Sequence, residues 1–225
     1  MAGYGLSVWD KGRSGKVSDV VSATERVAAY IDGFNLYFGI RESGRGHLWL
    51  DLEALVQSLL KPQQQLVAVR YFTARVRDDL PAEQRQQTYL EALVAHCSVL
   101  DIRLGRFQRK SKKCYSCGLS RNEYEEKETD VSLAVTLLAD GVKGLYDTAM
   151  LVSADSDMSP AVQALRELAP SARVIAALPP NRRSFQLQGI CDAAIPIGLA
   201  KVRQAQLPRT VMDGPRPLTR PEHWK

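Results

Sequence analysis

Short apolar runs and amphipathic stretches alternate along this chain from residue 27 to residue 197. Residues 27–31 (Val-Ala-Ala-Tyr-Ile) are uninterrupted and apolar, which predicts a strand buried on both faces. Asp51 then precedes Leu52, Leu55, Val56, Leu59 and Leu60, one apolar stripe of a helix capped by that aspartate. Residues 66–73 read as a second strand. Pro81 opens a helix that places Tyr89, Leu90, Leu93, Val94 and Cys97 on one face. Strands are predicted at 99–107, 149–153, 173–177 and 195–197, and helices at 129–139, 160–168 and 181–191. Strands alternating with helices of these lengths predict a parallel sheet covered by helices on both faces.

Three stretches fall outside this alternation. Residues 1–25 are rich in Gly, Ser and Lys and read as a flexible N-terminal segment. Residues 108–126 are polar and too long for a routine connection, so they read as a functional or mobile loop. The repeating α/β pattern occupies 26–200, and 201–225 read as a basic, proline-containing C-terminal tail. No internal repeat is visible.

The strand ends carry the chemistry. Residues 149–152 run straight into Ser153-Ala154-Asp155-Ser156-Asp157, after which Ser159 offers an N-cap and Pro160 a first helical position. The run 27–31 ends likewise in Asp32-Gly33-Phe34-Asn35, where Gly33 permits a sharp turn and Asn35 can cap a helix or hydrogen-bond a carboxylate. Asp130 is a third such carboxylate. Val131, Ala134, Val135 and Leu138 follow i, i+3, i+4, i+7 spacing, which puts Asp130 in the first turn of an amphipathic helix. In an open parallel sheet, ligands bind at the carboxyl ends of the strands. Carboxylates gathered there suit a hard divalent cation, because Mg²⁺ and Mn²⁺ favour oxygen ligands.

The phrases Tyr30-Ile31-Asp32-Gly33-Phe34-Asn35-Leu36, Lys127-Glu128-Thr129-Asp130-Val131 and Val152-Ser153-Ala154-Asp155-Ser156-Asp157 resemble, in order, the three signature blocks of the NYN domain, including its LabA/DUF88 group, within the PIN-like nuclease superfamily. The resemblance spans about residues 26–200. It implies a PIN-like α/β fold, a three-layer α/β/α sandwich around a mainly parallel central sheet, with an acidic cluster at the sheet's carboxyl edge. It further implies Mg²⁺ or Mn²⁺ as cofactor and RNA as the substrate that is cut. Asp32, Asp130, Asp155 and Asp157 take the family's metal-binding positions, with Asn35 and Ser153 as polar neighbours that orient water or phosphate.

Charge adds one local feature. The net charge is +5, but residues 201–225 hold six basic and two acidic residues, leaving 24 basic and 23 acidic elsewhere. The body is nearly neutral, so overall charge does not argue for nucleic acid. Arg103, Arg106, Arg109, Lys110, Lys112 and Lys113 nevertheless crowd together, interleaved with Phe107 and followed by Tyr115. Basic residues beside aromatics suit phosphate contact and base stacking, and a solvated charged loop is the plainer reading. Cys114 and Cys117 have the spacing that lets two thiolates grip one Zn²⁺, but a closed structural site needs four ligands. Cys97 with His96, or the same pair of a second chain in a homo-oligomer, are candidates for the others.

Other classes fit less well. No run approaches the ~18 apolar residues of a membrane span. Residues 1–26 carry charges and no apolar core, unlike a secretory signal, which points to the cytoplasm. His47, His96 and His223 are scattered, and neither a Ser-His-Asp order nor a glycine-rich phosphate loop is present. The expected function is a metal-dependent ribonuclease. The alternative is an RNA-binding or scaffold protein with a catalytically weak pocket. A phosphatase or a topoisomerase-primase-like domain would want its Asp-x-Asp pair after the first strand, and here Asp155 and Asp157 come late.

Overall fold

The computed structural model describes residues 24–113 and 120–224, with the backbone alone for 106–127. Its centre is a sheet whose parallel strands are β1 (Glu25–Asp32), β2 (Gln64–Ala74), β3 (Leu100–Lys113), β5 (Thr148–Val152), β6 (Arg173–Leu178) and β7 (Ala193–Pro196). A further strand, β4 (Ser120–Lys127), pairs antiparallel with β3 at the edge, giving the order β4-β3-β2-β1-β5-β6-β7.

Successive residues of a strand point to opposite faces, and here they sort into two cores. Val27, Ala29 and Ile31 of β1 join Met150 and Val152 of β5 in one apolar cluster. Ala28 and Tyr30 join Ala149 and Leu151 in the other. The first face is covered by α1 (Gly33–Arg41), α2 (Leu52–Gln57), α3 (Leu80–His96) and α7 (Leu199–Gln204), through Leu36, Leu55, Leu93 and Val202 among others. The second is covered by α4 (Thr129–Val142), α5 (Ser159–Leu168) and α6 (Phe185–Ile190), through Leu133, Leu137, Leu165 and Leu187. This is a three-layer α/β/α sandwich. Burial on both faces explains why the central strands read as continuous apolar runs.

The strand order places the site. β1 leads to β2 on one side, while β5 lies on its other side. The sheet therefore reverses direction between β1 and β5, and such switch points open a crevice at the carboxyl ends of the two strands.

Two stretches depart from the sequence expectation. The loop expected at 108–126 is, where described, an antiparallel ribbon, in which Lys110 faces Glu123 and Lys112 faces Arg121 across the ladder. Both of its strands are polar at nearly every position, so no period-two apolar signal announced them. The stretch from Pro208, which reads as a tail, forms a hairpin, β8 (Thr210–Asp213) and β9 (Arg216–Thr219), followed by a 3-10 turn at Glu222–Trp224. Gly214 takes φ 58 at the bend, as a two-residue hairpin connection requires. Of its few apolar residues, Val211, Leu218 and Trp224 are buried in the first core, and Met212 is exposed.

Candidate functional site

Asp32 is the last residue of β1 and the N-cap of α1, its Oδ1 accepting the Asn35 N–H at 2.9 Å. Its Oδ2 accepts the Ser153 hydroxyl at 3.0 Å. The same Ser153 Oγ accepts the Asp155 N–H at 3.0 Å, and the Asn35 side-chain oxygen accepts the Ala154 N–H at 3.1 Å. Two of these contacts, Ser153 to Asp32 and Ala154 to Asn35, stitch the end of β1 to the loop after β5 across the switch point, and the other two hold each side in shape. Asn35 does not cap α1, as its position allowed; Asp32 does, and Asn35 is left free to bind the neighbouring loop. Ser159 is not a cap either. Asp155 caps the 3-10 turn Ser156–Met158 that leads into α5, its Oδ1 accepting the Asp157 N–H at 3.0 Å.

The electrostatics single out Asp32, which is only 6 % exposed. Burial pushes its carboxyl up to about 6, opposed by the Asn35 N–H and the Ser153 hydroxyl. The charges of Asp130 and Asp155 push in the same direction as burial. Asp32 on β1 therefore feels both Asp130 on α4 and Asp155 in the loop after β5. Asp130 is exposed on the first turn of α4 and Asp155 is half-buried. Asp157 is exposed on the 3-10 turn. Glu128, just ahead of α4, holds the left-handed φ of 81 where the chain turns from β4 into that helix. Such a conformation costs a non-glycine residue about 1–2 kcal/mol.

Gly33 has a steric reason to be glycine. A Cβ there would stand 2.5 Å from the Phe72 carbonyl oxygen and 2.9 Å from Tyr71 Cε2. The close approach lets α1 start directly against β2.

Of the basic stretch, Arg103 has a described side chain, and it donates to Asp101 Oδ2 and Thr136 Oγ1, each at 3.0 Å. The side chains of Arg106, Arg109, Lys110, Lys112 and Lys113, and all of Cys114 and Cys117, lie outside the described residues. Cys97 and His96 both approach Asp51, at 3.7 Å and 3.1 Å.

Among the described residues, no group of three or more His, Cys, Asp or Glu side chains is placed to hold a metal ion. The donor set at the switch point is nonetheless all oxygen, with one carboxylate buried and two more bearing on it. That fits a hard ion that keeps several waters and takes only one or two carboxylates directly.

Sequence reasoning missed a cavity of about 500 Å³ that begins at Gly33 and is lined by Tyr37, Phe38, Tyr71, Tyr89 and Trp224. Its signal in the sequence was faint: Tyr37, Phe38 and Arg41 sit on α1 outside the stripe formed by Leu36 and Ile40.

Comparison with known proteins settles the family. The model of the NYN domain matches residues 26–198. The chain belongs to the NYN domain family. That family lies within the PIN-like nuclease superfamily, whose members typically use divalent metals. A curated relative from Pseudomonas putida, 6-hydroxy-3-succinoylpyridine 3-monooxygenase, is 26% identical over 239 residues, covering 88% of this chain and 75% of its own. The crystal structure of a protein of unknown function from Vibrio parahaemolyticus superposes with a TM-score of 0.53 at 17% identity, covering 79% of this NYN chain and 95% of that one, a likeness of fold. No helix among the described residues is long and apolar enough to cross a membrane.

Proposed function

We propose that this NYN protein is a Mg²⁺- or Mn²⁺-dependent ribonuclease that hydrolyses RNA phosphodiester bonds at the β1/β5 switch point. The observation that carries the reading is Asp32. It is a buried carboxylate whose proton affinity is raised by its burial and by the charges of Asp130 and Asp155. Crowded carboxylates are unfavourable until a cation relieves them, so the site is built for positive charge. Asp32, Asp130 and Asp155 would hold the ion, directly or through its waters, with Asp157 at the periphery. When bound, a divalent ion would supply water activation and charge stabilisation at the phosphate. Ser153 holds the Asp32 carboxylate by a hydrogen bond and Asn35 holds the loop that carries Asp155, so both acidic segments are fixed before substrate arrives.

The deciding experiment is cleavage of a single-stranded RNA oligomer with Mn²⁺ or Mg²⁺, with and without chelator, beside Asp155→Asn. Asparagine keeps the oxygen that accepts the Asp157 N–H, so the turn should survive while one metal-binding oxygen and one charge are lost. We expect wild-type cleavage that the chelator abolishes, and a variant that melts normally and cuts at least ~100-fold more slowly. RNA binding without cleavage under either metal would favour the RNA-binding alternative instead.

The name of the Pseudomonas putida relative favours a second reading, oxygenation of a substituted pyridine. Oxygen uptake with that pyridine and a two-electron donor, measured on the same preparation, would support it.

A further inference from the structure

The cavity at Gly33 combines two chemistries. Its walls are aromatic. Tyr37 and Phe38 meet edge to face with ring centroids 5.2 Å apart, and Trp224 meets Tyr89 the same way at 5.7 Å. Its rim is cationic. Arg41, Arg45 and Arg85 all line it, and all three stand close enough to His223 to hold that imidazole below its usual pKa after the effect of burial. Arg45 donates to His223 Nε2 at 2.7 Å, and the Arg41 guanidinium lies 6.0 Å from the centroid of the Tyr37 ring. Among the described residues, none of the three arginines has a carboxylate within ion-pair distance. Asp79 also lines the cavity, with Oδ1 engaged by the Ala82 N–H as the cap of α3. Among the described residues, three guanidiniums stand against one carboxylate at the rim, which makes it positive.

An aromatic slot with guanidiniums at its mouth that no described carboxylate pairs matches a planar heteroaromatic ring that carries an anion. The volume of about 500 Å³ is that of a small-ligand site, which typically spans about 300–1,000 Å³. Position narrows the choice. Gly33 lines the cavity and follows Asp32 directly, their Cα atoms about 3.8 Å apart across one peptide bond. The buried Tyr71 also lines it, and the Asp32 charge helps to raise its hydroxyl to about 12.

We propose that this cavity is a nucleotide subsite: it takes one unpaired base of an RNA strand against Tyr37, Phe38 and Trp224, and Arg41 and Arg85 hold the attached phosphate. The inference rests on the ribonuclease reading and deepens it, because it defines the substrate as single-stranded RNA with at least one splayed base beside the scissile bond. Stacking on aromatic side chains is tolerant of sequence, worth about 1–3 kcal/mol per base. Arginine is suited to both stacking and bidentate phosphate contact.

The test uses the full chain without metal, so that the acidic site is silent. Nucleoside monophosphates, inorganic phosphate, adenosine and 6-hydroxy-3-succinoylpyridine are each titrated by calorimetry, with tryptophan fluorescence as a second readout. We expect saturable binding of nucleoside monophosphates, at least ~10-fold tighter than adenosine or inorganic phosphate. Arg41→Ala with Arg85→Ala should weaken nucleotides by ~10-fold or more and leave adenosine unchanged. Tyr37→Ala should weaken nucleotides and adenosine alike. If the double variant melts early, the single Arg41→Gln, on an exposed residue, should still weaken AMP several-fold. Failure of every nucleotide to bind would overturn the proposal. So would inorganic phosphate binding as tightly as AMP, or the pyridine binding ~10-fold tighter than any nucleotide. RNA cleavage by a chain that binds no nucleotide would leave the ribonuclease reading standing and this subsite refuted. Nucleotide binding without cleavage would do the reverse.

Discussion

Asp32 holds two positions that conflict. It caps α1 and anchors Ser153, which favours an ionised carboxylate, and it is buried at the end of β1, which opposes one. Burial prevails, and the folded carboxyl titrates near about 6. In the unfolded chain an aspartate ionises at about 3.9. The folded state therefore binds this proton more tightly, and the sign follows. Below pH ~4 the group costs nothing; between pH ~4 and ~6 the cost grows, and above that it is complete. Asp32→Asn keeps an N-cap of equal quality and removes the charge. In metal-free buffer at pH 8 it should raise stability by about 1–3 kcal/mol, and the gain should vanish by pH 4. Urea melts at the two pH values check this, and a variant no more stable at pH 8 would mean the carboxylate is better solvated than its burial suggests. Ser153→Ala should act in the opposite direction. It strips the hydroxyl from both Asp32 and the Asp155 N–H in a fully buried position, a loss of about 1–3 kcal/mol, visible as a lower urea midpoint.

The elements show where sequence reading works and where it stops. β1, β5 and β6 were legible because burial on both faces leaves unbroken apolar runs. α4 was legible as a helix, but the stripe read for it includes Val131 and Val135, which are exposed, while Leu133 and Leu137 face the core. The positions of two aspartates were legible for a related reason: Asp32 ends the β1 run, and Asp155 lies in the polar loop that follows β5. The stitching between them was not. Nothing local in Asn35 says that its amide oxygen will meet Ala154, a contact made only once β1 and β5 are neighbours. The β3–β4 ribbon lacked an apolar face, and the cavity draws on residues from Gly33 to Trp224, too dispersed to form a motif. Gly33 belongs to both the legible and the hidden parts. The turn predicted its identity, whereas the packing of α1 on β2 enforces it. Gly33→Ala drives a methyl into the Phe72 carbonyl, a backbone atom that cannot swing aside. The expected cost is about 1–3 kcal/mol with α1 displaced from β2, and a lower melting temperature together with altered Tyr71 environment in near-ultraviolet dichroism would register it.

Across the whole molecule, the C-terminal hairpin closes the layer that holds α1 and α3. The Trp49 indole donates to the Pro208 carbonyl at 2.8 Å, the Leu207 N–H to the Trp49 carbonyl at 3.0 Å, and the Asp51 N–H to the Ala205 carbonyl at 2.9 Å. These bonds fix the point from which β8 and β9 cross α3, where Arg216 pairs with Glu91. Trp224 ends the run, 8 % exposed, its ring 6.5 Å from Trp49 and 5.7 Å from Tyr89. Such a ring, far from its strand neighbours in sequence, adds stability to the fold and a wall to the cavity at once. Trp224→Ala should therefore cost about 3–5 kcal/mol, the range for a large aromatic removed from a core. Trp224→Phe should recover most of that, because the edge-to-face contact with Tyr89 can be remade. A hairpin that merely rests on the surface would predict less than 1 kcal/mol for both. The two variants also separate folding from recognition. The switch-point contacts among Asp32, Asn35, Ser153 and Asp155 include no residue of the hairpin, so Trp224→Phe should keep the wild-type cleavage rate on RNA at saturation. Its apparent affinity for RNA should fall, because a smaller ring offers less stacking surface at the cavity wall. Steady-state cleavage of one RNA oligomer by both proteins, read as kcat against KM, reports the two quantities separately.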